Sequence, residues 1–115
     1  MGLAGTMDRT ALAWAAGLFE GEGSIARHRS GSASPLLTLT MTDEDVVREF
    51  AAVVGVGTVA GPRDNGPGRK PSWRWDTTNY EHTQAVVAAL WPWLKSRRRE
   101  RISSGRTSAP RRTGT

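Results

Sequence analysis

Apolar and polar positions along this chain follow two rhythms, one helical and one alternating. From Asp8 to about Glu20, Leu12, Ala15, Leu18 and Phe19 recur every three or four residues, predicting a helix capped by Asp8. Gly21-Glu22-Gly23 then predicts a turn, because two glycines oppose further helix. Ser24 to Arg29 and Leu36 to Met41 read as strands, joined by a polar loop from Ser30 to Ser34. Thr42 and Asp45 form a capping-box-like T-x-x-D before a helix running through Val54, with Val46, Val47, Phe50 and Val54 on one stripe and Gly55 as its stop. Gly57 to Gly61 gives a short strand, and Pro62 to Ser72, with three prolines, a turn or flexible loop. Trp73 to Thr77 alternates aromatic with polar residues, as a strand packed on one side does. Thr78 and Glu81 make another capping box for a helix that uses Val86, Ala89, Leu90 and then Trp93, limited near its end by Pro92. After Leu94 no apolar period survives, and disorder is expected from about Ser103.

The expected fold is therefore α+β, in the order α-β-β-α-β-β-α, with a four-stranded antiparallel sheet, helices on one face and the other face open. No internal repeat is present. The chain divides into a flexible N-terminus (1–7), one domain (8–97) and a basic, disordered tail (98–115).

Charge sharpens this division. Residues 95–115 hold eight basic side chains against Glu100 alone, a net +7, whereas residues 1–94 hold eight basic against ten acidic, a net −2. Such segregation marks either an arm for a polyanion, most often nucleic acid, or a solvated tail. The absence of cysteine excludes disulfide scaffolds, cysteine nucleophiles and Cys-based zinc sites. His28 and His82 lack paired ligand spacing, which argues against a zinc or HNH-type nuclease site. No apolar run is long enough to span a membrane and no secretory signal is visible, so an intracellular, cytoplasmic protein is expected.

The first helix carries the candidate chemistry. At 100° per residue, Ala13, Ala16, Gly17 and Glu20 share a narrow face of small side chains, opposite Leu12, Trp14, Ala15, Leu18 and Phe19. Gly17 inside a helix costs about 1 kcal/mol relative to alanine, and a small face lets two helix backbones approach closely. This predicts a homodimer interface at Ala13, Ala16, Gly17 and Glu20, beside the blander reading of a helix with a few alanines. Glu20 and Glu22 follow directly, and carboxylates are the hard ligands Mg²⁺ prefers. Two such helices meeting at their C-terminal ends would gather four acids, an arrangement suited to metal-assisted phosphodiester hydrolysis.

The stretch Ala15-Ala16-Gly17-Leu18-Phe19-Glu20-Gly21-Glu22-Gly23 resembles the nine-residue motif that names the LAGLIDADG homing endonucleases, with Ala15 in place of the usual leucine. Thr42-Asp43-Glu44-Asp45 leading to Gly55-Val56-Gly57, and Trp91-Pro92-Trp93-Leu94-Lys95-Ser96-Arg97, agree with it, so the resemblance covers residues 10–100 or so. It implies a single-motif, homodimeric enzyme whose saddle-shaped sheets lie along the DNA major groove. The implied metal site is Glu22, at the motif's eighth position, with the backbone carbonyl of Gly21, and the implied cofactor is Mg²⁺ or Mn²⁺. Glu20 would support the dimer seam and helix end. A basic residue bordering the metal site is matched best by Arg97, with Lys95 second. The polar residue that some members supply from the second strand has no clear counterpart, and Thr38 and Thr40 are the outward candidates.

The implied partner is double-stranded DNA, with no small-molecule substrate. Candidate DNA contacts are Arg27, His28, Arg29, Thr38, Thr40 and Arg74 on the strands, Arg63, Arg69 and Lys70 in the proline-rich loop, and Arg98 and Arg99 in the basic segment. Strict alternation turns Arg27 and Arg29 inward, which predicts a bulge or a strand edge there. The resulting function is site-specific DNA cleavage. The alternatives are a DNA-binding protein of the same fold that has lost cleavage, or an RNA-splicing maturase.

Overall fold

A computed structural model describes residues 8–27 and 35–107. The helices are α1 (Arg9–Glu22), α2 (Glu44–Val54), α3 (Tyr80–Leu90) and α4 (Ser96–Thr107), with a 3-10 turn at Trp91–Trp93. The strands are β1 (Gly23–Arg27), β2 (Pro35–Met41), β3 (Thr58–Arg63) and β4 (Ser72–Asp76). They form one antiparallel sheet in the order β1-β2-β4-β3. The α+β order expected from the sequence is thus present, with a further helix at the end.

Local chemistry explains most boundaries. Asp8 accepts the Thr10 N–H at 3.0 Å and starts α1. The helix continues through Gly21 and Glu22, so the turn expected there is instead its last turn, and Gly23 ends it. Gly23 is required by packing: a Cβ there would run into the Phe19 ring. Asp43, not Thr42, precedes α2, and no side chain caps it; Asp45 bonds the Val46 N–H at 2.9 Å. Gly55 stops α2 in the left-handed region at φ 83°. Before α3 the capping residue is Asn79, which accepts from His82 N at 2.8 Å, while Thr78 bonds the His82 ring. The strand expected to end at Gly61 extends through a cis Gly61–Pro62 bond to Arg63, with an irregular register between Ala60 and Arg63.

Helices α1, α2 and α3 cover the sheet face that carries Leu37, Leu39 and Trp75. Phe50 of α2 meets Trp75 edge-on with centroids 4.8 Å apart and lies near Phe19, at 6.5 Å. The Trp75 indole N–H donates to the Val56 carbonyl at 2.9 Å, so the buried ring leaves no polar atom unpaired. Thr77 accepts from Leu37 N–H at 3.1 Å and from the Thr83 hydroxyl at 2.8 Å, fixing β4 and α3 to β2 from inside.

The last helix corrects the expectation of a disordered tail as far as residue 107; residues 108–115, like the expected flexible N-terminus at 1–7, lie outside the described residues. α4 spans Ser96–Thr107, and Ile102 is 1% exposed within the core. The domain boundary expected at residue 97 therefore falls inside a helix. No apolar stripe announces it because Ile102, Arg98 and Arg99 do the packing: Arg98 lies over the Phe19 ring at 5.3 Å and Arg99 over Trp91 at 4.9 Å. No described helix is long and apolar enough to cross a membrane.

Candidate functional site

Helix α1 sends Ala15, Ala16 and Phe19 into the core, all at or below 1% exposure. Its outer line is Thr10, Trp14, Gly17 and Gly21, flanked by half-buried Ala13 and Glu20. Two assignments from helical phase alone are corrected. Ala16, placed on the pairing face, is buried within its own chain, and Trp14, placed with the core residues, is 37% exposed. Small residues give little orienting force, so the bulk of Phe19 and the bend into β1 decide the rotation. A Cβ at Gly17 or Gly21 would meet nothing within 4 Å. The chain's own packing does not demand glycine at either place.

The two acids of the motif differ in engagement. A Glu20 carboxylate oxygen accepts the Lys95 N–H at 2.6 Å, at the residue that precedes α4, and the Glu20 carbonyl accepts from Arg98 Nη2 at 3.1 Å. An acid accepting there satisfies an N–H at the start of a helix and complements its dipole. Glu20 thus ties the end of α1 to the start of α4. Glu22 is exposed and makes no hydrogen bond or ion pair among the described residues. Of the last four carbonyls of α1, which helical geometry leaves unpaired, that of Phe19 accepts from Gly23 and that of Glu20 from Arg98. Gly21 is exposed beside them. Among the described residues no group of three or more His, Cys, Asp or Glu could hold a metal ion.

Directly after Glu22, Ser24 and Ile25 of β1 line a recess of about 420 Å³ whose other walls are Arg97, Arg98 and Arg101 of α4. All the charge in that lining is positive. Arg97 and Arg101 are exposed one helical turn apart, whereas Arg98 is half-buried against Phe19 and Glu20. Arg99 turns away to donate to the Trp91 carbonyl at 2.8 Å. Arg98 and Arg99, expected as DNA contacts in a loose tail, are engaged within the chain, and Lys95 leaves its side chain exposed. Arg101 and Ser24 went unnoticed in the sequence. The four-residue spacing from Arg97 was the available signal for Arg101, but it carried no meaning without a helix.

The open sheet face bears the remaining candidates. One row across it is Ser24–Thr38–Asp76–Thr58 and the next is Thr40–Arg74–Ala60. Thr38 is 6% exposed because neighbours flank it in mid-sheet and Ser24 bonds it at 2.7 Å, so Thr40 is the accessible threonine. Arg74 stands exposed in an ion pair with Asp76 at 3.1 Å. Arg63 is exposed at the end of β3, and Arg69 and Lys70 are exposed in a loop closed by Asn65, which bonds the Lys70 carbonyl at 2.9 Å. β1 is an edge strand with regular pairing to Arg27↔Pro35, so the edge, not a bulge, answers the expected irregularity. His28 and Arg29 lie outside the described residues, as does the Arg27 side chain.

No protein-family model and no curated protein matches the chain. Solved structures do. It is similar to the homing endonuclease I-CvuI in complex with its target, at TM-score 0.65 and 19% identity over 84% of this chain and 66% of that one. Similar too are the group I intron-encoded homing endonuclease I-CeuI complexed with DNA (TM-score 0.63, 14% identity, 88% and 54% coverage) and the homing endonuclease I-TnaI (TM-score 0.60, 19%, 83% and 68%). The chain spans about two thirds or less of the length of the first of these structures. With its motif ending the first helix, its open four-stranded sheet and these likenesses, this chain has the fold of the LAGLIDADG homing endonucleases.

Proposed function

We propose that the protein is a site-specific DNA endonuclease that acts as a homodimer and makes metal-dependent double-strand breaks. The observation that carries this reading is the free carboxylate of Glu22, at the end of α1 and next along the chain to a recess walled by arginines. A carboxylate and a helix-end carbonyl, those of Glu22 and Gly21, are hard oxygen donors of the kind Mg²⁺ or Mn²⁺ takes. One chain offers too few of them, so the ligand set would be completed by a second copy and by the DNA phosphate. Such an ion, when bound, supplies phosphate polarisation and water activation.

The chain's own residues account for the rest. Arg97 and Arg101 face the recess as fixed positive charge for a phosphate; an arginine stays protonated and so stabilises charge without acting as base. Lys95 is held by its backbone against Glu20 and can add charge from its exposed side chain. Glu20, already bonded, is a positioning residue that keeps α4 against α1. Ala13, Gly17, Gly21 and the exposed Trp14 give the outer side of α1 an apolar surface without bulk at its glycines, which suits close packing against a second copy. Thr40, Arg63 and Arg74 on the open face suit base and backbone contacts, and Arg69 and Lys70 suit phosphate.

The test uses the full chain and a random duplex pool with Mg²⁺. Cleavage of an enriched, pseudo-palindromic sequence is expected, and Glu22→Gln should abolish cutting while binding persists. Binding without cleavage by the native chain would refute the nuclease and leave a DNA-binding protein of the same fold. Equal cutting by Glu22→Gln would remove Glu22 from the metal site.

A further inference from the structure

We propose that Arg74 reads a guanine in the DNA target, one for each copy of the protein, and that Asp76 is the residue that positions it. This rests on the reading of the open sheet face as a duplex-binding surface. β4 lies inside the sheet, and its residues 74 and 76 project on the same open face. The lateral partners of Arg74 are Thr40 and Ala60, both short, so the guanidinium rises above its row and its side chain stays 49% exposed. A recess of about 300 Å³ beside it, walled also by Arg63 and Ser72, leaves room for a base edge.

The ion pair determines what this arginine can do. Arg74 Nε sits 3.1 Å from Asp76 Oδ2, and Thr58 Oγ1 is a long 3.5 Å from the other oxygen of the same carboxylate. With Nε engaged, the two terminal nitrogens remain as a planar fork, the donor pair that matches guanine O6 and N7 in the major groove. A phosphate contact is the poorer use of this group. The adjacent carboxylate cancels most of the net attraction, and it would itself be repelled by the DNA backbone. Arg69 and Lys70, which have no ion pair among the described residues, carry no such penalty. A largely exposed ion pair adds little to stability, so the main consequence of Asp76 is the orientation it gives Arg74.

The experiment is selection of bound sequences from a random duplex pool by the full chain and by Arg74→Lys, Arg74→Ala and Asp76→Asn, with thermal melts in parallel. The native chain should enrich a guanine at one position per half-site. Arg74→Lys keeps the charge but loses the fork, and should reduce that preference by roughly 10-fold while other positions keep theirs. Asp76→Asn should weaken the same guanine preference several-fold and raise affinity for unrelated duplex. Melting temperatures should stay unchanged. A motif left intact by Arg74→Lys, or one that weakens equally at every position, would overturn this inference while sparing the nuclease reading. No enriched motif even with the native chain would overturn both.

Discussion

Replacing Ile102 by alanine should destabilise the protein by about 3 kcal/mol, within the roughly 2–5 kcal/mol seen for buried aliphatic truncations. The side chain is 1% exposed and joins the core with Leu94, Phe19 and Leu90, so nearly all of its apolar surface is at stake. Full burial of such a side chain is worth about 1.5–3 kcal/mol in transfer alone, and a residual cavity adds to it. Ile102 is also the main apolar anchor of an otherwise polar helix, so little else can compensate. In urea, with a slope of roughly 1–3 kcal/mol per molar for a chain of this size, the midpoint should fall by about 1–3 M at constant m. Protomer concentration must be held fixed, because assembly would shift apparent stability. Arg101→Ala, one residue away and exposed, should stay within about 0.5 kcal/mol. Should Ile102→Ala match Arg101→Ala, the segment would behave as a solvated tail and the packing of α4 would be refuted.

Substitutions at three further positions probe the site's supports. Glu20→Ala should cost about 1–2 kcal/mol by orphaning the Lys95 N–H, and Glu20→Gln less, since its carbonyl can still accept; equal midpoints for both in denaturant melts would exclude the bond's role. Gly23→Ala drives a methyl into the Phe19 ring and should destabilise by about 1–3 kcal/mol, with altered near-ultraviolet circular dichroism; a neutral result would contradict the close approach. A Cβ at Gly17 meets no neighbour within 4 Å in its own chain and the position is exposed, so Gly17→Leu should leave the fold intact while dissociating the proposed homodimer in sedimentation, and an unchanged dimer would move the interface elsewhere.

Short-range physics made much of the fold legible in advance. The helical period of Val47, Phe50 and Val54 and the alternation around Leu37, Leu39 and Trp75 fixed element type and buried face together, because one exposed apolar stripe must find cover. Asp8 and Gly55 marked helix ends through bonds and backbone angles that reach only a few residues. The motif acids and Arg97 were also visible, because their order along the chain is itself the signal.

What the sequence determined, then, was the order of elements, the buried stripes and the pair of candidate acids. Tertiary structure alone decided which acid is free. The motif resemblance assigns the two acids different roles, but their own chemistry does not separate them until α4 packs against α1 and the preceding Lys95 N–H takes Glu20. It also decided the rotation of α1, since Ala13, Ala16 and Gly17 differ too little in apolar area to choose a side. α4 was hidden for a related reason. Its stability comes from Arg98 on Phe19, Arg99 on Trp91 and one buried Ile102, contacts to distant parts of the chain that no local period in an arginine-rich segment can reveal.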